Sequence, residues 1–96
     1  MLPTRNPNVI FKALATGAVL YSTAEEVYFG LNAVGVRIWD LLPPTQHRLE
    51  DLCAVLYAEY PDAPRELIHA DVVELLEELT KLGLVQPATS SRQHAS

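Results

Sequence analysis

The 96-residue chain has one cysteine, Cys53, so no disulfide can form within it. One thiol cannot build a zinc site without several His or acidic partners, and none stands at ligand spacing. His69, for example, has Val73 at i+4. Positive charge is scarce too: 7 Lys and Arg stand against 12 Asp and Glu, a formal net charge of -5. Binding phosphates or an anionic membrane surface requires clustered Lys and Arg, so neither nucleic acid nor membrane is an expected partner. No run approaches the roughly 20 apolar residues of a membrane span. Residues 1–8 lack the apolar stretch of a signal peptide, so a cytoplasmic location is expected. Also missing are a nucleophile with a placed histidine, a phosphate-binding loop and paired-metal spacing. Together with the small size, which leaves no room for a second lobe, this predicts a protein that is not an enzyme and carries no cofactor or metal.

What is present suits a small folded domain. Hydrophobic residues make up 49% of the chain and charged residues 20%, enough apolar surface for one modest core. Residues 1–8 contain Pro3 and Pro7 and are expected to be a loose, flexible arm. Residues 88–96 (ATSSRQHAS) are small and polar and are expected to be disordered. The folded domain is placed at 9–87.

Within it the pattern changes once. Val9-Ile10-Phe11 opens a strand, Thr16-Gly17 makes a turn, Ala18 to Tyr21 forms a second strand, and Ser22 to Glu25 a hairpin loop. Val27 to Leu31 is the third strand, with Val27, Phe29 and Leu31 on one face and Tyr28 and Gly30 on the other. From Asn32 the spacing is helical. Asn32 suits a helix cap, Val34, Ile38, Leu41 and Leu42 recur inward beside Trp39, and Pro43-Pro44 stops the helix. A second helix covers about Leu49 to Tyr60, with Leu49, Leu52, Cys53 and Leu56 inward. A third starts near Pro64 and ends at Gly83. Three antiparallel strands followed by three helices predict an α+β fold of winged helix-turn-helix-like shape.

The third helix is the most informative. At about 100° per residue, Ile68, Val72, Leu75, Leu79 and Leu82 form one apolar stripe. His69, Val73, Leu76 and Thr80 form a second on its flank, and Asp71, Glu74, Glu78 and Lys81 occupy the other side. The apolar face is wider than one core contact needs. The plain reading is additional core; the alternative is that the second stripe lines a groove against the sheet. The acidic side opposes DNA binding, since this helix would enter the major groove in a winged helix.

Several runs together resemble the PqqD-like family: Gly17-Ala18-Val19-Leu20-Tyr21, Tyr28-Phe29-Gly30-Leu31-Asn32, Ile38-Trp39-Asp40-Leu41-Leu42, Leu49-Glu50-Asp51-Leu52, Ala70-Asp71-Val72 through Leu75-Leu76-Glu77-Glu78-Leu79, and Gly83-Leu84-Val85. The resemblance covers about residues 9–86. It implies a recognition element for the precursor peptides of ribosomally made, modified peptides (RiPPs). There the leader segment adds as a strand to the third strand and drops side chains into the cleft against the third helix. Carried onto this chain, the expected peptide-binding residues are Glu26, Val27, Tyr28, Phe29, Gly30 and Leu31 on the strand side. On the helix side they are His69, Val73, Leu76, Glu77 and Thr80, with Glu77 placed to meet a basic leader residue or a peptide N–H. The expected partners are a precursor peptide and a processing enzyme. The resemblance favours a leader peptidase of lasso-peptide biosynthesis, with a radical enzyme as the alternative and a winged-helix DNA-binding role behind both. The chain departs from the family pattern at Ala33-Val34-Gly35, where many members carry a Thr-Ala pair, and at Arg48, where a Ser or Thr is usual. Gly35 should weaken its helix by roughly 1 kcal/mol relative to Ala.

Overall fold

The computed structural model describes residues 1–87; the tail expected to be disordered, 88–96, lies outside them. In chain order the elements are β1 (Thr4–Arg5), β2 (Val9–Leu14), β3 (Gly17–Ser22), β4 (Val27–Asn32), α1 (Ala33–Leu41), α2 (Leu49–Glu59), α3 (Arg65–Lys81) and β5 (Val85–Gln86). The three-stranded antiparallel sheet has the order β2-β3-β4, and the three helices follow it, as the patterning predicts. The first turn is displaced from the expected position. β2 runs to Leu14, Ala15 and Thr16 make the turn, and Gly17 already pairs with Leu14 as the first residue of β3.

Alternation along β3 sets the layers. Ala18, Leu20 and Ser22 are buried, and Leu20 lies between Phe11 and Phe29 on the core face. The Ser22 hydroxyl accepts from the Glu25 N–H at 3.1 Å, which closes the β3–β4 loop. The helices cover the core face with Ile38, Trp39, Leu41, Leu52, Cys53, Leu56, Val72 and Leu79, all buried.

The helix ends follow from local chemistry. The Asn32 side chain accepts from the Gly35 N–H at 2.8 Å, capping α1. Gly83, at φ 77, ends α3. There Leu84 N–H donates to Leu79 C=O at 2.9 Å and Gly83 N–H to Thr80 C=O at 3.1 Å, the paired bonds of a Schellman cap. α2 begins at Leu49 without a side-chain cap from Arg48. Gly35 has a packing role as well as a helix cost. A Cβ there would lie 3.1 Å from Leu31 Cδ2, so the glycine lets α1 sit close on the end of β4.

The first eight residues are not the loose arm expected from their composition. Leu2 is buried at 2% exposure, and its N–H donates to His47 C=O at 3.0 Å. β1 pairs antiparallel with β5. Asn6 bonds Leu84 through its backbone at 3.1 Å and Gly83 through its side chain at 2.9 Å. Two or three residues carry too little periodicity to announce such docking, and the prolines mask it.

Arg37 joins α1 to α2 through Glu59, with Nε to Oε1 at 3.0 Å. This hydrogen bond holds the Glu59 carboxyl below the usual carboxylate range. A depressed folded pKa contributes stability that is present above the unfolded value of about 4.3 and lost as pH falls through the folded one. Both side chains are about one-third exposed, so Glu59→Gln should cost less than about 1 kcal/mol at neutral pH. Urea midpoints of variant and parent should converge as pH falls through the folded value; a difference that persists once the carboxyl is protonated would remove the ion pair as its cause.

Candidate functional site

Among the described residues, β4 pairs on one side only, with β3. Its other edge offers the N–H and C=O groups of about half its six residues to an incoming strand. Beside that edge lies a cleft of about 430 Å³. Phe29, Gly30, Leu31 and Asn32 form the strand wall, and Val34, Gly35 and Ile38 of α1 form the floor. Asp71, Glu74, Leu75 and Glu78 of α3 form the far wall.

Of the strand residues expected to bind peptide, Phe29, Gly30 and Leu31 line this cleft. Val27 and Tyr28 lie on the same strand outside the cleft lining, and Glu26 closes the preceding turn at φ 55. Tyr28 is 72% exposed on the outer face, with its ring 4.5 Å from that of Tyr21.

The helix side is displaced. His69, Val73, Leu76, Glu77 and Thr80 do not line the cleft against β4. Val73, Leu76, Glu77 and Thr80 line a separate groove of about 540 Å³ with Met1, Leu2, Pro3, Leu49, Lys81 and Pro87. His69 borders a third hollow with Leu49, Glu50, Cys53 and Tyr57. The second apolar stripe thus faces the docked N-terminal segment and the start of α2. A helical wheel orders side chains by angle but does not say which flank meets which neighbour. The wheel places Asp71, Glu74 and Glu78 on the side away from both apolar stripes. The one available signal was Leu75, an inward residue flanked on one side by all three acids.

The larger groove borders no free edge of the three-stranded sheet, so it cannot extend that sheet by backbone pairing. The cleft at β4 borders such an edge. The single thiol, Cys53, is buried, and desolvation pushes its pKa up, which keeps it protonated and unreactive at neutral pH. Among the described residues, no group of three or more His, Cys, Asp or Glu is placed to hold a metal ion. No helix among them is long and apolar enough to cross a membrane.

Comparison with known proteins bears on the same elements. The structure of TbiB1 in complex with the TbiA(beta) leader peptide matches this chain with a TM-score of 0.74 at 30% identity, covering 85% of this chain and 93% of that one. No curated protein matches. The family model for Coenzyme PQQ synthesis protein D (PqqD) matches residues 17–85, a stretch that runs from β3 to β5 and includes both walls of the cleft. The chain belongs to the PqqD family.

Proposed function

We propose that this protein binds the leader segment of a ribosomally made precursor peptide by strand addition to β4 and presents it, without catalysis of its own, to a processing enzyme. The observation that carries this reading is the unpaired edge of β4 beside an apolar-floored cleft. The similarity to TbiB1, solved with a leader peptide, supports the class of ligand. Each backbone bond gained along the edge contributes about 1 kcal/mol net, and the choice of peptide comes from alternate side chains entering the cleft. The wall that makes this choice is Asp71, Glu74, Leu75 and Glu78 rather than the Val73 flank. The recipient favoured here is a leader peptidase of a lasso-peptide pathway; a radical enzyme is the other branch.

The test is an amide-shift titration of labelled protein with the leader of a short precursor, sought first among the genes beside its own. Shifts and slowed exchange are expected along residues 27–31, with further shifts at Asp71, Leu75 and Glu78. Changes confined to Val73, Leu76 and Thr80 would move the site to the other groove. No change at 27–31 would end the strand-addition reading. Co-purification with the leader peptidase or with the radical enzyme then separates the two branches.

A further inference from the structure

We infer that the cleft selects an extended peptide carrying Lys or Arg at two alternate positions, i and i+2, on the side facing α3. This rests on the strand-addition reading and gives its ligand a charge pattern. Asp71, Glu74 and Glu78 stand at i, i+3 and i+7 on α3 and all line the cleft. At about 1.5 Å rise per residue they form a ridge roughly 10 Å long. Same-face side chains of a strand repeat at roughly 6.6 Å, so the ridge spans two successive cleft-facing positions of an added strand.

Among the described residues none of the three acids forms an ion pair. The ion pairs among the described residues are Arg37 with Glu59 and Arg48 with Glu50. A metal ion is not the cation that answers them, because among the described residues no three acidic, His or Cys side chains converge on one point. A spaced row of carboxylates suits spaced cations instead. Between the acids and the strand lie Leu75, Val34 and Ile38. Lys and Arg can lay their methylene stems on such a surface while their charged ends reach the ridge. An acidic peptide meets the same ridge with like charge and without compensation.

The test uses three capped nine-residue Ser/Val peptides that differ only at positions 4 and 6, carrying Lys, Gln or Glu there. Affinity and β4 amide shifts are measured together. The expected result is Lys tighter than Gln by at least about fivefold, with Glu weakest. The preference should shrink between about 0.02 M and about 0.5 M salt. It should vanish in the triple variant Asp71→Asn, Glu74→Gln, Glu78→Gln. It should survive in Asp51→Asn, Asp62→Asn, Glu66→Gln, which removes as many exposed charges away from the cleft. Equal binding of all three peptides with β4 shifts would overturn the charge pattern and leave strand addition standing. A preference that persists in the first triple variant would reduce it to general attraction by an acidic protein, and overturn it. Absence of β4 shifts with every peptide would take down strand addition and this inference together.

Discussion

Gly17→Ala is expected to destabilise the fold by about 3 kcal/mol, lowering the melting temperature by roughly 12–24 °C for a domain of this size. Gly17 opens β3 opposite Asn32 at the end of β4. A Cβ at position 17 would lie 1.9 Å from the Leu31 carbonyl oxygen and 3.0 Å from its carbon. The obstacle is backbone, so no rotamer change relieves it; either β4 moves or the pairing at that end is lost. The Asn32 cap of α1 follows immediately, and α1 is held against Leu31 by the close approach at Gly35. A displaced carbonyl therefore disturbs the sheet, the cap and the cleft wall together. Gly30→Ala is the control. A Cβ there meets nothing within 4 Å, and the change should stay within about 0.5 kcal/mol. Urea denaturation of the two variants checks this. If Gly17→Ala unfolds at the parent's midpoint, the Leu31 carbonyl does not crowd position 17.

Leu2→Ala should cost about 2–3 kcal/mol, a large part of the roughly 5–15 kcal/mol a small domain holds. Leu2 is 2% exposed, whereas its neighbour Met1 is 83% exposed. Met1→Ala should therefore change little, and the contrast separates burial from mere position near the chain start. Losing the Leu2 side chain also loosens the cover over Val73 and Leu76, which line the same groove. Increased binding of an apolar dye should accompany the lower melting temperature. A Leu2→Ala protein as stable as the parent would restore the loose arm that composition suggested.

Much of this architecture was legible in the sequence because it is written locally. Alternation places Val27, Phe29 and Leu31 inward. Asn32 and Gly83 punctuate α1 and α3 through side-chain and backbone bonds to residues close by in the chain. Trp39 and Cys53 are buried, as their apolar surroundings suggested. What could not be read depends on contacts between distant segments. Gly35 looked like a helix defect because its reason, Leu31, belongs to another element. The helical wall of the cleft was placed on Val73 and Leu76 because they are apolar. The wall facing β4 is instead three acids and a leucine, and the apolar flank is answered by residues 1–3, which a proline-rich start had made look idle.

The pairing of β1 with β5 has a consequence for how such a domain can be joined to others. Thr4 and Arg5 lie opposite Gln86 and Val85, so the first and last strands of the folded unit run side by side, about one strand spacing apart, near 5 Å. The Leu2, Pro3 and Pro87 region beside them belongs to the groove on the far flank of α3, away from the β4 cleft. A domain with adjoining ends can be spliced into a surface loop of another protein, or circularly permuted by linking those ends, with little strain. Fused at either end to an enzyme, it would hang from a single corner and keep the β4 edge facing outward.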